Sequence, residues 1–354
     1  MKVGIIGLPN VGKSTLFKAL TKKQVDVSNY PFCTIDPNIG VVPVPDERLE
    51  KLAQVSKSEK VTPSVIEFVD IAGLVKNAHK GEGLGNQFLS QIREVDAVVE
   101  VLRGFKDENI VHVEGGIDPE RDKSIIHLEL IMADLQTVEK RLEKISKEVK
   151  SGSKEAIKIS EVLEKLKKIL EDGKMAKELN LNDEEKSLIK DLNLLTLKPL
   201  IYVMNVSQES GTGNQKPGGN EYLYIDAKLE SELAELPDGE VKEYLDELGV
   251  EETGLDKLIM VSYDTLNLIT FFTYNEKELR AWTIKKGTSA LKAAGKVHTD
   301  FEKGFVKAEV CNWQDLVESG GMIQAKERGL VRVEGRNYIV QDGDVVYFRA
   351  SVSK

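Results

Sequence analysis

The sequence has very little cysteine and no long apolar run. Only Cys33 and Cys311 occur in 354 residues, far apart and without the spacing of metal ligands. Two such cysteines supply no disulfide framework, so a reducing cytoplasm is the expected location. No stretch approaches the run of about 18 apolar residues that a spanning helix needs, which argues against a membrane-embedded chain. The opening MKVGIIGLPNVGKS lacks a signal-peptide cleavage region and reads at once as strand and loop. Internal repeats and low-complexity tracts are also missing. Positive charge is in deficit: the net charge of −10 argues against uniform coating of nucleic acid, and no DNA partner is expected.

What is present suffices for packed interiors: 41% of residues are hydrophobic and 31% charged, and the length suggests two or three domains. The charge is uneven. Residues 272–354 hold 14 Lys/Arg against 11 Asp/Glu, and residues 121–170 hold 12 against 9, so each region carries +3. The acidity therefore concentrates elsewhere, and these two regions are the mildly basic candidates for facing a partner.

The run KVGIIG, with β-branched Val3, Ile5 and Ile6, predicts a buried parallel strand, and STLFKAL a helix after it. VIEFVDIAG (65–73), DAVVEVLRGF (96–105) and PLIYVMNVS (199–207) predict further buried strands, and LIMVSY (258–263) a last one. Strands alternating with helices give an α/β fold, a doubly wound and mostly parallel sheet, over residues 1–123 and 193–271. Between 124 and 192 apolar residues recur at three- and four-residue steps: Ile125, Leu128, Met132, Leu135, Val138, Leu142, Ile145. After Ser151-Gly152-Ser153 the period returns through Ile157, Val162, Leu166 and Ile169, which predicts an inserted antiparallel coiled-coil hairpin. From 272 to 354 the alternating tail GLVRVEGRNYIVQDGDVVYFRAS, with turns at Glu334-Gly335 and Asp342-Gly343, predicts a small sheet-rich α+β domain.

One motif carries the chemistry. Gly7-Leu-Pro-Asn-Val-Gly12-Lys13-Ser14 matches G-x-x-x-x-G-K-[ST] between a strand and a helix, the context that phosphate binding requires. Glycines let backbone N–H groups turn inward around phosphates, and a helix N-terminus adds positive potential. Asn10, Val11, Gly12, Lys13, Ser14 and Thr15 are thus the expected phosphate cradle, with Lys13 on the β- and γ-phosphates and Ser14 on Mg²⁺. Asp70 ends a hydrophobic strand in Asp70-Ile-Ala-Gly73, where the carboxylate can hold Mg²⁺ and the Gly73 amide can approach the γ-phosphate. Thr34, in the loop NYPFCTIDPN, is placed between these motifs to close on Mg²⁺ and the γ-phosphate.

The set GLPNVGKST, NYPFCTIDPN, VPDERL, DIAGLVKNAHKGEGLGNQFL, HVEGGIDPERD and GRNYIVQDGDVVYFR resembles the Obg-like ATPase (YchF) family over essentially the whole chain. The resemblance implies a translation-factor-class P-loop domain, a coiled-coil insertion and a C-terminal TGS domain. It also implies association with ribosomes and ribosomal RNA, and translation or stress control. A cytoplasmic monomer that binds neither DNA nor membrane is expected.

Base choice and catalysis are less direct. Ras-like GTPases read guanine with the Asp of N-K-x-D, but strand PLIYVMN delivers Asn205-Val206-Ser207-Gln208, with no Asp. An amide cannot reproduce the charge-assisted bidentate pair to guanine, so guanine loses its main advantage; the family resemblance implies a preference for ATP, and GTP stays open. Family members commonly carry Glu where Gln208 stands. Leu74 occupies the position of the water-orienting Gln of Ras and cannot hydrogen-bond. The family resemblance suggests His112 as the group that acts instead, and imidazole suits water positioning near neutral pH. Asn10 is a second candidate, because the G-x-x-N-x-G-K-S form resembles K⁺-stimulated P-loop enzymes.

Overall fold

The computed structural model describes residues 1–25, 30, 36–71, 84–107, 116–207 and 222–351. In chain order they form β1 (Lys2–Gly7), α1 (Lys13–Lys22), β2 (Ile39–Pro43), α2 (Glu47–Ser56), β3 (Lys60–Thr62), β4 (Val65–Asp70), α3 (Leu84–Glu94) and β5 (Ala97–Arg103). Next come α4 (Pro119–Lys150), α5 (Lys154–Glu171), α6 (Asp183–Leu188), β6 (Leu200–Asn205), β7 (Tyr222–Ile225), α7 (Ala227–Leu233), α8 (Asp238–Leu248) and α9 (Gly254–Thr265). The last are β8 (Leu268–Tyr274), β9 (Glu278–Lys285), α10 (Ala290–Val297), α11 (Thr299–Lys303), β10 (Phe305–Asn312), α12 (Trp313–Ser319), α13 (Met322–Glu327), β11 (Arg332–Glu334) and β12 (Asp344–Ala350).

Two compact units result, one from Met1–Lys22, Asp36–Gly40 and Glu67–Leu255, the other from Lys23–Ile35, Val41–Ile66 and Asp256–Lys354. Strands β1, β5, β6 and β7 of the sheet β2-β4-β1-β5-β6-β7 lie wholly within the first unit. From β4 through β7 every adjacent pair is parallel. The central strand β5, Ala97 to Arg103, is buried at all seven positions, as a strand covered on both faces must be. A sequence of this kind reads as an unbroken apolar run, and it does, apart from Glu100 and Arg103. The α/β fold class is as the strand–helix alternation implies.

The helical pair is α4, 32 residues, and α5. Asp118 caps α4 by accepting from Arg121 N, Pro119 opens its first turn with Glu120 and Asp122, and Lys147 and Lys150 close its last. That charge order complements the helix dipole. Ser153 caps α5 through Ala156 N. Deep in the packing, Asp134 of α4 accepts from Leu195 N (3.0 Å), Thr196 N (2.8 Å) and Thr196 Oγ1 (2.7 Å), tying the helix to the segment that leads into β6.

One expected strand is a helix. Residues 258–263 lie inside α9, where Leu255, Leu258, Ile259 and Tyr263 are buried. Their spacing of three, four and eight residues is one face of a helix, and Ser262 Oγ returns to Leu258 O at 2.7 Å. The strand that the sheet adds after β6 is β7 instead, four residues long.

The second unit is organised on the sheet β11-β10-β12-β8-β9-β3. β10 pairs antiparallel with both β11 and β12, and β8 pairs antiparallel with β9. Val345 of β12 pairs parallel with Phe272 of β8. Ala290, Ala293 and Ala294 of α10 pack with Phe271, Val310, Val346 and Phe348, while Leu49 and Leu52 of α2 pack with Phe272, Cys311 and Val345.

Candidate nucleotide-binding site

The loop after β1 is held by close backbone approaches. A Cβ at Gly7 would meet Val101 O and Val11 Cγ2, each at 2.8 Å, so the start of the loop lies directly on β5. Asn10 adopts a left-handed backbone (φ 65°) and Gly12 another (φ 94°), and a Cβ at Gly12 would lie 2.0 Å from Asn205 Nδ2. Only glycine meets both demands at position 12. Val11 buries its side chain in the core, and its carbonyl accepts from Asn205 Nδ2. α1 begins at Lys13, and Leu16 N donates to Gly12 O at 3.0 Å. Ser14 and Thr15 are exposed in its first turn.

Lys13 is 9% exposed, and its Nζ donates to Asp70 Oδ1 in a short ion pair. Asp70 is fixed at the C-terminal end of β4: its N–H donates to Asn38 O at 2.9 Å, and Ile71 N donates to Ile5 O at 3.2 Å. The loop cation and the strand-end carboxylate, separated by 57 positions in sequence, thus occupy one site.

Asn205, at the end of β6, braces three segments. Its Nδ2 donates to Val11 O at 2.9 Å, its Oδ1 accepts from Ala227 N at 3.1 Å, and its carbonyl accepts from Gly104 N at 2.8 Å. Val206 packs beside Leu102, Tyr202, Met204 and Tyr222, with its N–H on Ile225 O.

Two residues of this site escape a motif reading. Phe105 Cε1 lies 4.0 Å from where a Gly12 Cβ would stand, putting an aromatic ring beside the loop and Asn205. Arg103, fully buried, donates to Phe105 O (3.2 Å) and Asp107 O (3.4 Å), its guanidinium 4.5 Å from the Phe105 ring centre. The only sequence signal was a charged residue closing a largely apolar strand, just before Gly-Phe.

The hydroxyl of Ser14 and the carboxylate of Asp70 are hard oxygen donors of the type Mg²⁺ takes. Among the described residues no group of three or more His, Cys, Asp or Glu could hold a metal by itself. That donor set fits a cation bound largely by phosphate and water, with one or two protein ligands.

Residues 2–165 match a family described as 50S ribosome-binding GTPase, and residues 268–351 match the YchF-GTPase C-terminal family, described as a protein of unknown function. The Ribosome-binding ATPase YchF of Bacillus subtilis (strain 168) is 51% identical over 364 residues, spanning 99% of this chain and 100% of the relative. This chain belongs to the YchF family. The YchF of Haemophilus influenzae is 49% identical over 360 residues, spanning 99% of each chain. The solved structure of the Schizosaccharomyces pombe YchF GTPase superposes with a TM-score of 0.87 at 38% identity, covering 99% of this chain and 97% of that one. The YchF fold, a P-loop α/β domain with an appended C-terminal sheet, is thereby the fold of this chain.

Of the residues that the motifs single out, Asn10 to Thr15, Asp70 and Asn205 come together. Thr34, Gly73, Leu74, His112 and Gln208 lie outside the described residues, as does Cys33. No helix among the described residues is long and apolar enough to cross a membrane.

Proposed function

We propose that this chain is a Mg²⁺-dependent nucleoside triphosphatase that favours ATP and whose nucleotide state governs its docking on ribosomes. The observation that carries this reading is the meeting of Lys13 and Asp70 at the mouth of a complete P-loop. The relatives named Ribosome-binding ATPase YchF, about half identical over the full length, support both the reaction and the partner.

In this reading the backbone amides from Asn10 to Thr15 cradle the phosphates, and Lys13 exchanges Asp70 for the β- and γ-phosphate oxygens. Ser14, Thr34 and Asp70 would hold Mg²⁺, and the cation would supply positive charge against the phosphates. The Gly73 amide would donate to the γ-phosphate, and Asn205 with Val206 forms the base side of the site, Asn205 acting by bracing the loop. Phe105 supplies a flat apolar wall for the base. His112 positions the attacking water in place of Leu74, and Asn10 with K⁺ is the alternative source of transition-state charge stabilisation.

The nucleotide domain comprises 1–123 and 193–271, the helical insertion 124–192 and the TGS domain 272–354. The protein works as a cytoplasmic monomer without a DNA partner. A second reading is a GTPase of the same fold, favoured by the name of the Schizosaccharomyces pombe relative. Competition of ATP and GTP for one site separates them: with Gln208 in place of the guanine-reading Asp, ATP binds tighter by about 1–3 kcal/mol, whereas a GTP preference overturns the ATP assignment. Ribosome co-sedimentation in nucleotide-free, ADP and non-hydrolysable ATP forms tests the docking, and equal recovery in all three contradicts a nucleotide-governed switch.

A further inference from the structure

The sheet of the second unit is covered unequally. On one face, Ala308, Val310, Val346 and Phe348 lie under α10. On the other, α2 and the α12–α13 pair cover only the end carrying Phe272, Cys311 and Val345. Strand alternation puts Lys307 and Glu309 of β10 and Tyr347 and Arg349 of β12 on that second face, with Glu309 opposite Tyr347 and Lys307 opposite Arg349. Val333 of β11, opposite Glu309 on the other side, continues the row. Tyr347 is 44% exposed, Val333 63% and Ile323 71%. A cavity of about 790 Å³ opens here, floored by Tyr274, Met322 and Val345 and walled by Tyr347, Arg349 and Lys326.

The charge at this cavity is arranged around one carboxylate. Glu309, itself buried, accepts from Lys326 Nζ at 2.6 Å and Arg349 Nε at 3.3 Å, with Lys307 Nζ at 3.7 Å. Lys326 holds the Glu309 carboxyl below the ordinary Glu range, with Arg349 acting in the same direction against the effect of burial. Lys326 and Arg349, which both line the cavity, share this one carboxylate, so a positive surplus faces the cavity. Lys57 and Lys277 line it as well, against Glu276. The Arg349 guanidinium lies 4.2 Å from the Tyr347 ring centre, making a planar, cationic stack on the open sheet.

We propose that this face binds an unpaired nucleotide of RNA, with its base against the Tyr347–Arg349 stack and its phosphate on Lys326 and Lys307. The proposal deepens the ribosome-binding reading and rests on it for the source of the RNA. Unpaired bases stack on aromatic rings and Arg planes, whereas a paired helix keeps its bases inside and offers mainly phosphate and 2′-hydroxyl groups. The volume is that of a small-ligand pocket, suited to one base and its neighbouring phosphates. An acidic peptide would use the cations but leave the ring platform without a planar partner, so the combination favours RNA.

The test titrates the full chain with a fluorescent single-stranded RNA of about ten nucleotides and with the same sequence as a duplex, running ribosome co-sedimentation in parallel. The single strand binds more tightly than the duplex. Tyr347→Ala weakens single-strand binding about fivefold or more, the loss of one base stack, while Tyr347→Phe restores it. Lys326→Gln lowers the salt dependence by about one phosphate contact, and thermal melting of each variant reports its folding. Unchanged RNA binding by a folded Tyr347→Ala, a preference for duplex, or binding of poly-glutamate without binding of RNA overturns the proposal. Parental protein that fails to sediment with ribosomes yet shows this RNA behaviour sinks the ribosome reading alone. Parental protein and Tyr347→Ala that sediment equally, without single-strand binding, sink this inference alone.

Discussion

The Asn205 amide donates to the carbonyl of Val11 across 2.9 Å while its oxygen accepts from Ala227 N, so one side chain at the end of β6 holds the phosphate loop to the start of α7. Both ends of the amide are buried and spent on backbone. Asn205→Ala leaves a buried carbonyl and N–H unsatisfied and costs about 1–3 kcal/mol of stability. Urea denaturation gives that loss, and titration with ATP gives a parallel loss of affinity because Gly12 and Val11 lose their brace. A variant that unfolds like the parent and binds ATP equally well removes Asn205 from the site.

Asp134 makes the corresponding prediction for the helical insertion. Its carboxylate receives three hydrogen bonds from Leu195 and Thr196 in a buried setting. Asp134→Ala strands three donors and destabilises the chain by about 3 kcal/mol or more, read as a lowered urea midpoint. If the midpoint is unmoved, the tie between α4 and the segment before β6 is not structural.

Much of this architecture was legible in the sequence. The P-loop carries its own context of strand and helix, and β4, β5 and β6 read as apolar runs because parallel strands are covered on both faces. The α4–α5 hairpin was legible from its period and from the Ser151-Gly152-Ser153 break. β7 was missed because four residues, Tyr222 to Ile225, are too few to show a period. Residues 258–263 read as a strand because a buried helix and a buried strand share a short apolar run, and only the wider spacing from Leu255 to Tyr263 separates them. The braces at the site, Asn205 onto Val11 and Arg103 onto Phe105 O, join segments far apart or bond backbone carbonyls, and no local pattern announces them.

A pH dependence follows from Glu100, fully buried on β5 with Oε2 3.0 Å from His127 Nε2. Burial raises its carboxyl above the ordinary Glu range, opposed by the hydrogen bond to His127 and by the charges of His127, Lys123 and Lys177. The folded chain thus keeps this proton to higher pH than the unfolded chain. Its contribution is fully present below the unfolded value and is lost as pH rises through the folded one. Glu100→Gln carries no titrating proton, so the stability of the parent relative to the variant falls as pH rises above the ordinary Glu range. Urea denaturation over a pH series measures this, and a pH-independent difference contradicts it.

Cys311 is buried, and its thiol is pushed up to about 11, chiefly by that burial. In a Cys33→Ser background the remaining thiol stays unmodified by a thiol reagent at neutral pH until the chain is unfolded. Rapid labelling of the native protein contradicts the packing of β10 against α12.

The most direct measurement is calorimetric titration of Mg²⁺ with ATP, and separately with GTP, into the parent and into Lys13→Ala and Ser14→Ala, with circular dichroism to confirm folding. Lys13 reaches Asp70 at the mouth of the P-loop, and losing it removes the cation meant for the β- and γ-phosphates. The account predicts saturable one-to-one binding by the parent, tighter for ATP, and a loss of at least about tenfold in each folded variant, as expected for a charged hydrogen bond or a metal ligand. Parental affinity in both folded variants would contradict the assignment of the site.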